Sequence, residues 1–172
     1  MENLKIYNGP IKAGSILERN ATGCDFVKSV IAATTTSTSV QGNHFMPKGE
    51  KILCTGGAGS IGSELVRQLA PDNHVCILDT NETAFFNLHE ELNQRGIGVR
   101  GQVGDVRDKD VFERLARKHG YQTIIYHAAA LKHVAPSAWS PEDYVSTNVD
   151  GTINVLRFAE RHGLKVVNIS TD

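Results

Sequence analysis

Gly56, Gly59 and Gly62 recur at three-residue spacing within TGGAGSIG, residues 55–62, with the apolar run KILCT entering and the amphipathic segment SELVRQLA leaving. A strand that breaks into a glycine turn and restarts as a helix is suited to holding a pyrophosphate. The first glycine permits the sharp turn, the second lets a ligand approach the backbone, and the third lets the helix pack closely. The N–H groups of Ser60, Ile61 and Gly62 open that helix, where its dipole favours an anion. Asp79 closes a second apolar run, HVCILD, about twenty residues on, where a carboxylate accepts hydrogen bonds from an adenosine ribose. Thr80, Asn81 and Glu82 follow it without a cation, so a 2′-phosphate would be repelled. The expectation is NAD rather than NADP.

Three further groups fall at the ends of apolar runs. Gly104-Asp105-Val106 offers a carboxylate and neighbouring backbone to the edge of an adenine. His127-Ala128-Ala129-Ala130 places small side chains where a cofactor would cross the edge of a sheet, with Ala128 and Ala129 nearest. Lys132 follows, in a loop where a cation could pair with the phosphate or carbonyl of a substrate or simply be solvated. His127 and His133 read as packing or loop residues.

The elements needed to position these groups are legible from Gly49 onward. Short β-branched runs at 51–55, 74–79, 99–105, 123–128 and 165–170 alternate with helical spacings. The helical segments are 63–70, 82–95, 108–119 and a stretch opening at Pro141 that carries Val145, Val149, Ile153, Val155, Leu156 and Ala159 before Gly163. Proline suits a first helical turn. Strands alternating with helices imply right-handed crossovers and a parallel sheet covered on both faces. The expected fold is therefore α/β, a Rossmann-type doubly wound sheet of order 3-2-1-4-5 over residues 49–172, stopping after strand five.

Residues 1–48 form an extension of different character. Its Ser/Thr-rich run SVIAATTTSTSV suits β-structure or a solvated linker more than a helix, and residues 41–50 read as a connector.

Composition excludes several function classes. At 172 residues and net charge −1, the chain has no global field to draw nucleic acid or anionic lipid. No apolar run reaches membrane-spanning length, and the N-terminus lacks a secretory pattern. Cys24, Cys54 and Cys76 are scattered, without metal-ligand spacing, so reduced thiols in a cytoplasmic protein are expected.

TGGAGSIGSEL, HAAALKHV, TNVDGTINVL and the closing ISTD together resemble the extended short-chain dehydrogenase/reductases. The narrower likeness is to the CapD-like nucleotide-sugar 4,6-dehydratases of polysaccharide biosynthesis, over residues 51–172. The resemblance implies a tightly held nicotinamide cofactor and a UDP-N-acetylhexosamine. Hydride leaves C4 of the sugar, water is eliminated across C5 and C6, and hydride returns to C6. It also implies roles: Thr171 as the strand-five hydroxyl near sugar and cofactor, Asp172 as the acid assisting water loss, and Lys132 as a substrate contact. In that family a lysine follows Ser-Thr-Asp, and a Tyr-x-x-x-Lys and a sugar-binding part come later. Tyr144 does not fit that motif, because Asn stands at 148. The expectation is a cofactor half-site, inactive alone, completed by further chain or by a complementing one. An uncovered outer edge on strand five would favour self-association, hence a homo-oligomer. A 4-epimerase fragment, or a non-catalytic nucleotide-binding or docking module, are the alternatives.

Overall fold

The computed structural model describes residues 47–169. Five strands run through them: β1 (Lys51–Thr55), β2 (His74–Asp79), β3 (Arg100–Val103), β4 (Ile124–His127) and β5 (Lys165–Asn168). All pairings are parallel and the order is β3-β2-β1-β4-β5, as the alternation predicts. Winding reverses between β1 and β4, so a crevice opens outside the carboxyl ends of these strands.

Successive side chains of β1 point to opposite faces, and each face has its own helical cover. On one, α1 (Ser60–Leu69) and α2 (Glu82–Gln94) set Leu65, Val66, Leu69, Leu88 and Leu92 against Ile52, Cys54, Ile77 and Tyr126. On the other, α3 (Val111–His119) brings Phe112 and Leu115 against Leu53, Leu78 and Ile125. Each such aliphatic or aromatic side chain, fully buried, contributes about 2 kcal/mol. Burial on both faces is why residues 52–54 of β1 are apolar in succession rather than alternating. Cys54 of β1 and Cys76 of β2 are free and buried, and burial pushes both thiols up to about 12. They are packing groups; Cys24 lies outside the described residues.

Local chemistry sets the helix starts. Asn81 caps α2, its Oδ1 accepting the Ala84 N–H at 3.0 Å, a contribution of about 1 kcal/mol. The segment expected to be helical from Asp108 begins later, at Val111. The Asp105 carboxylate takes the Arg107 N–H at 2.8 Å and that of Asp108 takes the Asp110 N–H at 2.9 Å. These two side-chain turns compete with helical hydrogen bonding.

The stretch from Pro141 departs from expectation. After the short α4 (Val134–Ser137), it divides into α5 (Pro141–Val145), a π turn (Ser146–Asp150) and α6 (Gly151–His162). The wider turn changes the helical phase. Val145, Val149 and Ile153 are exposed, while Val155, Phe158 and Ala159 of α6 enter the core. Phe158 stacks on Phe112 at 5.5 Å between ring centres, coupling α6 to α3. At the entry to β1, buried Asn73 accepts the Glu50 N–H and donates to the carbonyls of Pro47 and Leu69. The expectation for residues 1–46 lies outside the described residues. Among those described, no helix is long and apolar enough to cross a membrane.

Candidate functional site

The glycine turn is built by contacts that no side chain could share. Gly56 takes φ +65°, and a Cβ there would lie 2.7 Å from the backbone of Ala129 at the end of β4. Left-handed backbone and contact both require glycine. A Cβ on Gly62 would come 2.0 Å from the Gly56 carbonyl oxygen, so α1 sits directly on the turn. Gly59 precedes the first residue of α1 and makes no side-chain cap. The first amides of α1 have no carbonyl one turn earlier to accept from them. The turn is thus closely packed on backbone at Gly56 and Gly62, with the first amides of α1 as its free donors.

The turn forms one wall of a cleft of about 400 Å³ along the carboxyl edge of the sheet. Gly56, Gly59, Asp79, Asp105, Val106, Ala128 and Ala129 all line it, so seven positions picked from the sequence converge. Ser60 and Ile61 stand at the start of α1 beside it, and Gly62 serves packing. Asp79 is held from two sides: Oδ2 accepts the Ala58 N–H at 2.8 Å and Oδ1 accepts the Asn81 N–H at 2.9 Å. The carboxylate is locked to the glycine turn with lone pairs remaining for a hydroxyl donor. It is not the cap of α2, since Asn81 fills that role.

Across the cleft, Val106 is buried and its carbonyl, like that of Arg107, accepts from the Asn154 side chain at 3.0 and 3.1 Å. This leaves the Asp105 carboxylate facing Arg107, whose guanidinium holds that carboxyl below the usual carboxylate range. Arg107, Asp143, Thr80, Leu131 and Thr147 also line the cleft. Sequence reasoning did not select them, because Arg107 and Asp143 are 36 positions apart and meet only through the fold.

The loop after β4 is fixed on both sides of Lys132. Asn148, in the π turn, pairs with both the N–H and the carbonyl of Leu131 at 2.8 Å each. The Tyr144 hydroxyl donates to the His133 carbonyl at 2.6 Å. Lys132 itself is exposed, one residue from the cleft wall. Tyr144 therefore braces a loop.

His127 anchors the same region from below. It is buried, with Nδ1 2.6 Å from Thr55 Oγ1 and Nε2 3.0 Å from Thr152 Oγ1. The Thr152 hydroxyl donates to the Asn148 carbonyl at 2.7 Å, so it must accept from Nε2–H, and Nδ1 then accepts from Thr55. Burial brings the imidazole down to about 4, keeping it neutral. Thr55, His127, Thr152, Asn148 and Leu131 thus form one chain of hydrogen bonds from β1 to the Lys132 loop. Thr171 and Asp172 lie outside the described residues; the last described residue, Ile169, donates its N–H to the His127 carbonyl at 2.9 Å.

Fold and glycine turn together define a Rossmann-type domain of the extended short-chain dehydrogenase/reductase class. A family model described as polysaccharide biosynthesis protein matches residues 52–172, and the chain belongs to that family. It is 46% identical over 128 residues to an uncharacterized membrane protein of Methanocaldococcus jannaschii, covering 73% of this chain and 37% of that protein. It is 34% identical over 131 residues to the inverting UDP-N-acetylglucosamine 4,6-dehydratase of Campylobacter jejuni, covering 74% and 38%. Among solved structures, the UDP-glucose 4-epimerase of Stenotrophomonas maltophila, with bound NAD and formylated UDP-arabinopyranose, superposes with a TM-score of 0.60. The two are 29% identical over 71% of this chain and 37% of that one. The chain thus spans little more than a third of the length of these relatives.

Proposed function

We propose that the cleft holds NAD and that this domain is the cofactor half of a UDP-N-acetylhexosamine 4,6-dehydratase. The observation that carries the reading is the glycine turn and the Asp79 carboxylate, joined at 2.8 Å and lining one cleft together. Gly56 and Gly62 leave no room for a Cβ, Gly59 lies on the cleft wall, and the helix amides point to where a pyrophosphate would sit. Asp79 would accept from the ribose hydroxyls; with no cation at Thr80, Asn81 or Glu82, it would repel a 2′-phosphate. Asp105 and the Val106 N–H would address the adenine edge. The small Ala128 and Ala129 leave space for the ligand to pass the end of β4.

When bound, the nicotinamide supplies the hydride acceptor for C4 of the sugar and the donor for C6. The chain's own contribution is positional. Lys132, clamped between the Asn148 and Tyr144 contacts, would meet the substrate, while Thr171 and Asp172 would supply the hydroxyl and the acid for loss of water. Turnover belongs to the protein at the length of its relatives. The reducing environment that suits two buried free thiols agrees with a cytoplasmic setting. Among the described residues β5 pairs only with β4, and we expect a second copy or further chain along its other edge, which sedimentation would detect.

Calorimetric titration of the chain with NAD and NADP tests the reading. NAD binding tighter than NADP supports it, and equal or tighter NADP binding overturns the cofactor choice. A 4-epimerase is the second reading, favoured by the superposition on an NAD-bound epimerase. Formation of a 4-keto-6-deoxy product by the longer protein would select the dehydratase.

A further inference from the structure

Arg107 is a cation on the wall of a cleft that otherwise presents Asp79, Asp105 and Asp143. Its tethering is unusually complete. The main-chain carbonyl is held by Asn154 of α6 at 3.1 Å, and the N–H by Asp105 at 2.8 Å. Of the guanidinium, Nε and Nη2 reach Asp105 Oδ2 at 2.8 and 2.6 Å, and Nη1 reaches Asp143 Oδ1 of α5 at 3.1 Å. The side chain therefore bridges the loop after β3 and α5, two elements on the same cleft. An exposed ion pair contributes little to stability, so stability alone does not explain the arrangement. What it does produce is a flat, weakly hydrated cation fixed beside the Asp105 and Val106 positions.

We propose that Arg107 is the outer wall of the adenine subsite, its guanidinium plane held by Asp105 and Asp143 against the face of the base. This rests on the reading of the cleft as a dinucleotide site. Guanidinium groups stack on aromatic faces, and bases accept such stacking through their π-faces. Because both carboxylates orient the guanidinium before the ligand arrives, little side-chain freedom is lost on binding. Asp143, which would not touch the base, is a positioning residue.

The test is calorimetric titration of the full chain with NAD and with ADP, comparing wild type, R107A, R107K and D143N. R107K keeps the charge and loses the plane. R107A and R107K are both expected to weaken NAD and ADP about five- to tenfold, and D143N about two- to threefold. The ratio of wild-type to R107A affinity is expected to survive high salt, which screens exposed charges. Wild-type affinity in R107K, or a ratio that falls to one at high salt, would show that only charge matters and would overturn the stacking wall. Unchanged binding by R107A would overturn it outright while leaving the dinucleotide reading intact. No NAD binding by wild type would overturn both. If R107A fails to fold, R107K and D143N still decide the matter.

Discussion

Acid should destabilise this domain through one buried imidazole well before its carboxylates titrate. His127 sits at about 4 against an ordinary 6.5 because it is buried, with burial the only cause of its shift. Among the described residues, the groups it touches are the neutral hydroxyls of Thr55 and Thr152, and no carboxylate there compensates its protonation. The folded value lies below the unfolded one, and the unfolded chain therefore binds the proton more readily. Stability from this group is fully present above pH 6.5 and is lost as pH falls toward 4. A shift of this size, at 1.36 kcal/mol per unit, amounts to about 3 kcal/mol. That is a large share of the ~5–15 kcal/mol holding a typical domain. Protonation also makes Nδ1 a donor, so the Thr55 contact, with its hydroxyl proton directed at that nitrogen, must rearrange.

The assay is urea unfolding at intervals between pH 7 and 4, for wild type and H127Q. His119 is also lowered, mainly by burial, and contributes with the same sign in both proteins, so the difference between them isolates His127. Glutamine keeps one donor and one acceptor for the two threonines without titrating. Wild type should lose stability relative to H127Q progressively below pH 6.5, by about 3 kcal/mol at pH 4. Glu91, Asp105, Asp108 and Glu113, whose carboxyls are held low by neighbouring cations, lose their contribution only at lower pH. Parallel pH profiles for the two proteins would refute the assignment of a neutral, buried His127.

G62A places a methyl 2.0 Å from the Gly56 carbonyl oxygen, so α1 must move; a loss of about 3 kcal/mol in urea unfolding is expected, with NAD binding falling alongside. D79N should weaken NAD about tenfold by removing a charged acceptor while narrowing the gap to NADP, both read by calorimetry. N148A removes both contacts to Leu131 and should cost about 2 kcal/mol; hydrogen exchange at the Leu131 amide should speed up by more than in N148D, which keeps the acceptor for it. Cys54, with its thiol pushed up to about 12, should react with a thiol reagent only as fast as the domain opens, so denaturant should accelerate labelling steeply.

The sheet order and the two-sided core were legible because the inner strands are short apolar runs and each helix before residue 120 carries an unambiguous face. β3 stops at Val103, short of the expected residue 105, and the side-chain turn at Asp105 takes over the backbone soon after it. Most of the cleft wall was legible too. A glycine turn, a strand-end acid and a run of alanines are local patterns whose meaning depends only on their neighbours along the chain. Arg107–Asp143, Asn148–Leu131 and His127–Thr152 were not, because each joins residues 17 or more positions apart, and no periodicity marks such a pair.

The helix after Pro141 shows how the two kinds of information interact. Read as one regular helix, Val145 and Val149 fall on the side of Ala159, whereas Ile153 lies nearly opposite Val155. The π turn at Ser146–Asp150 sets Val145 off from α6, and such turns are frequent at functional positions. Here it lets Gly151 pass against Val106, where a Cβ would lie 2.6 Å from a methyl. It also places Asn148 where its amide can pair with both polar groups of Leu131. Those two contacts anchor the loop bearing Lys132 to the helical stretch that follows it.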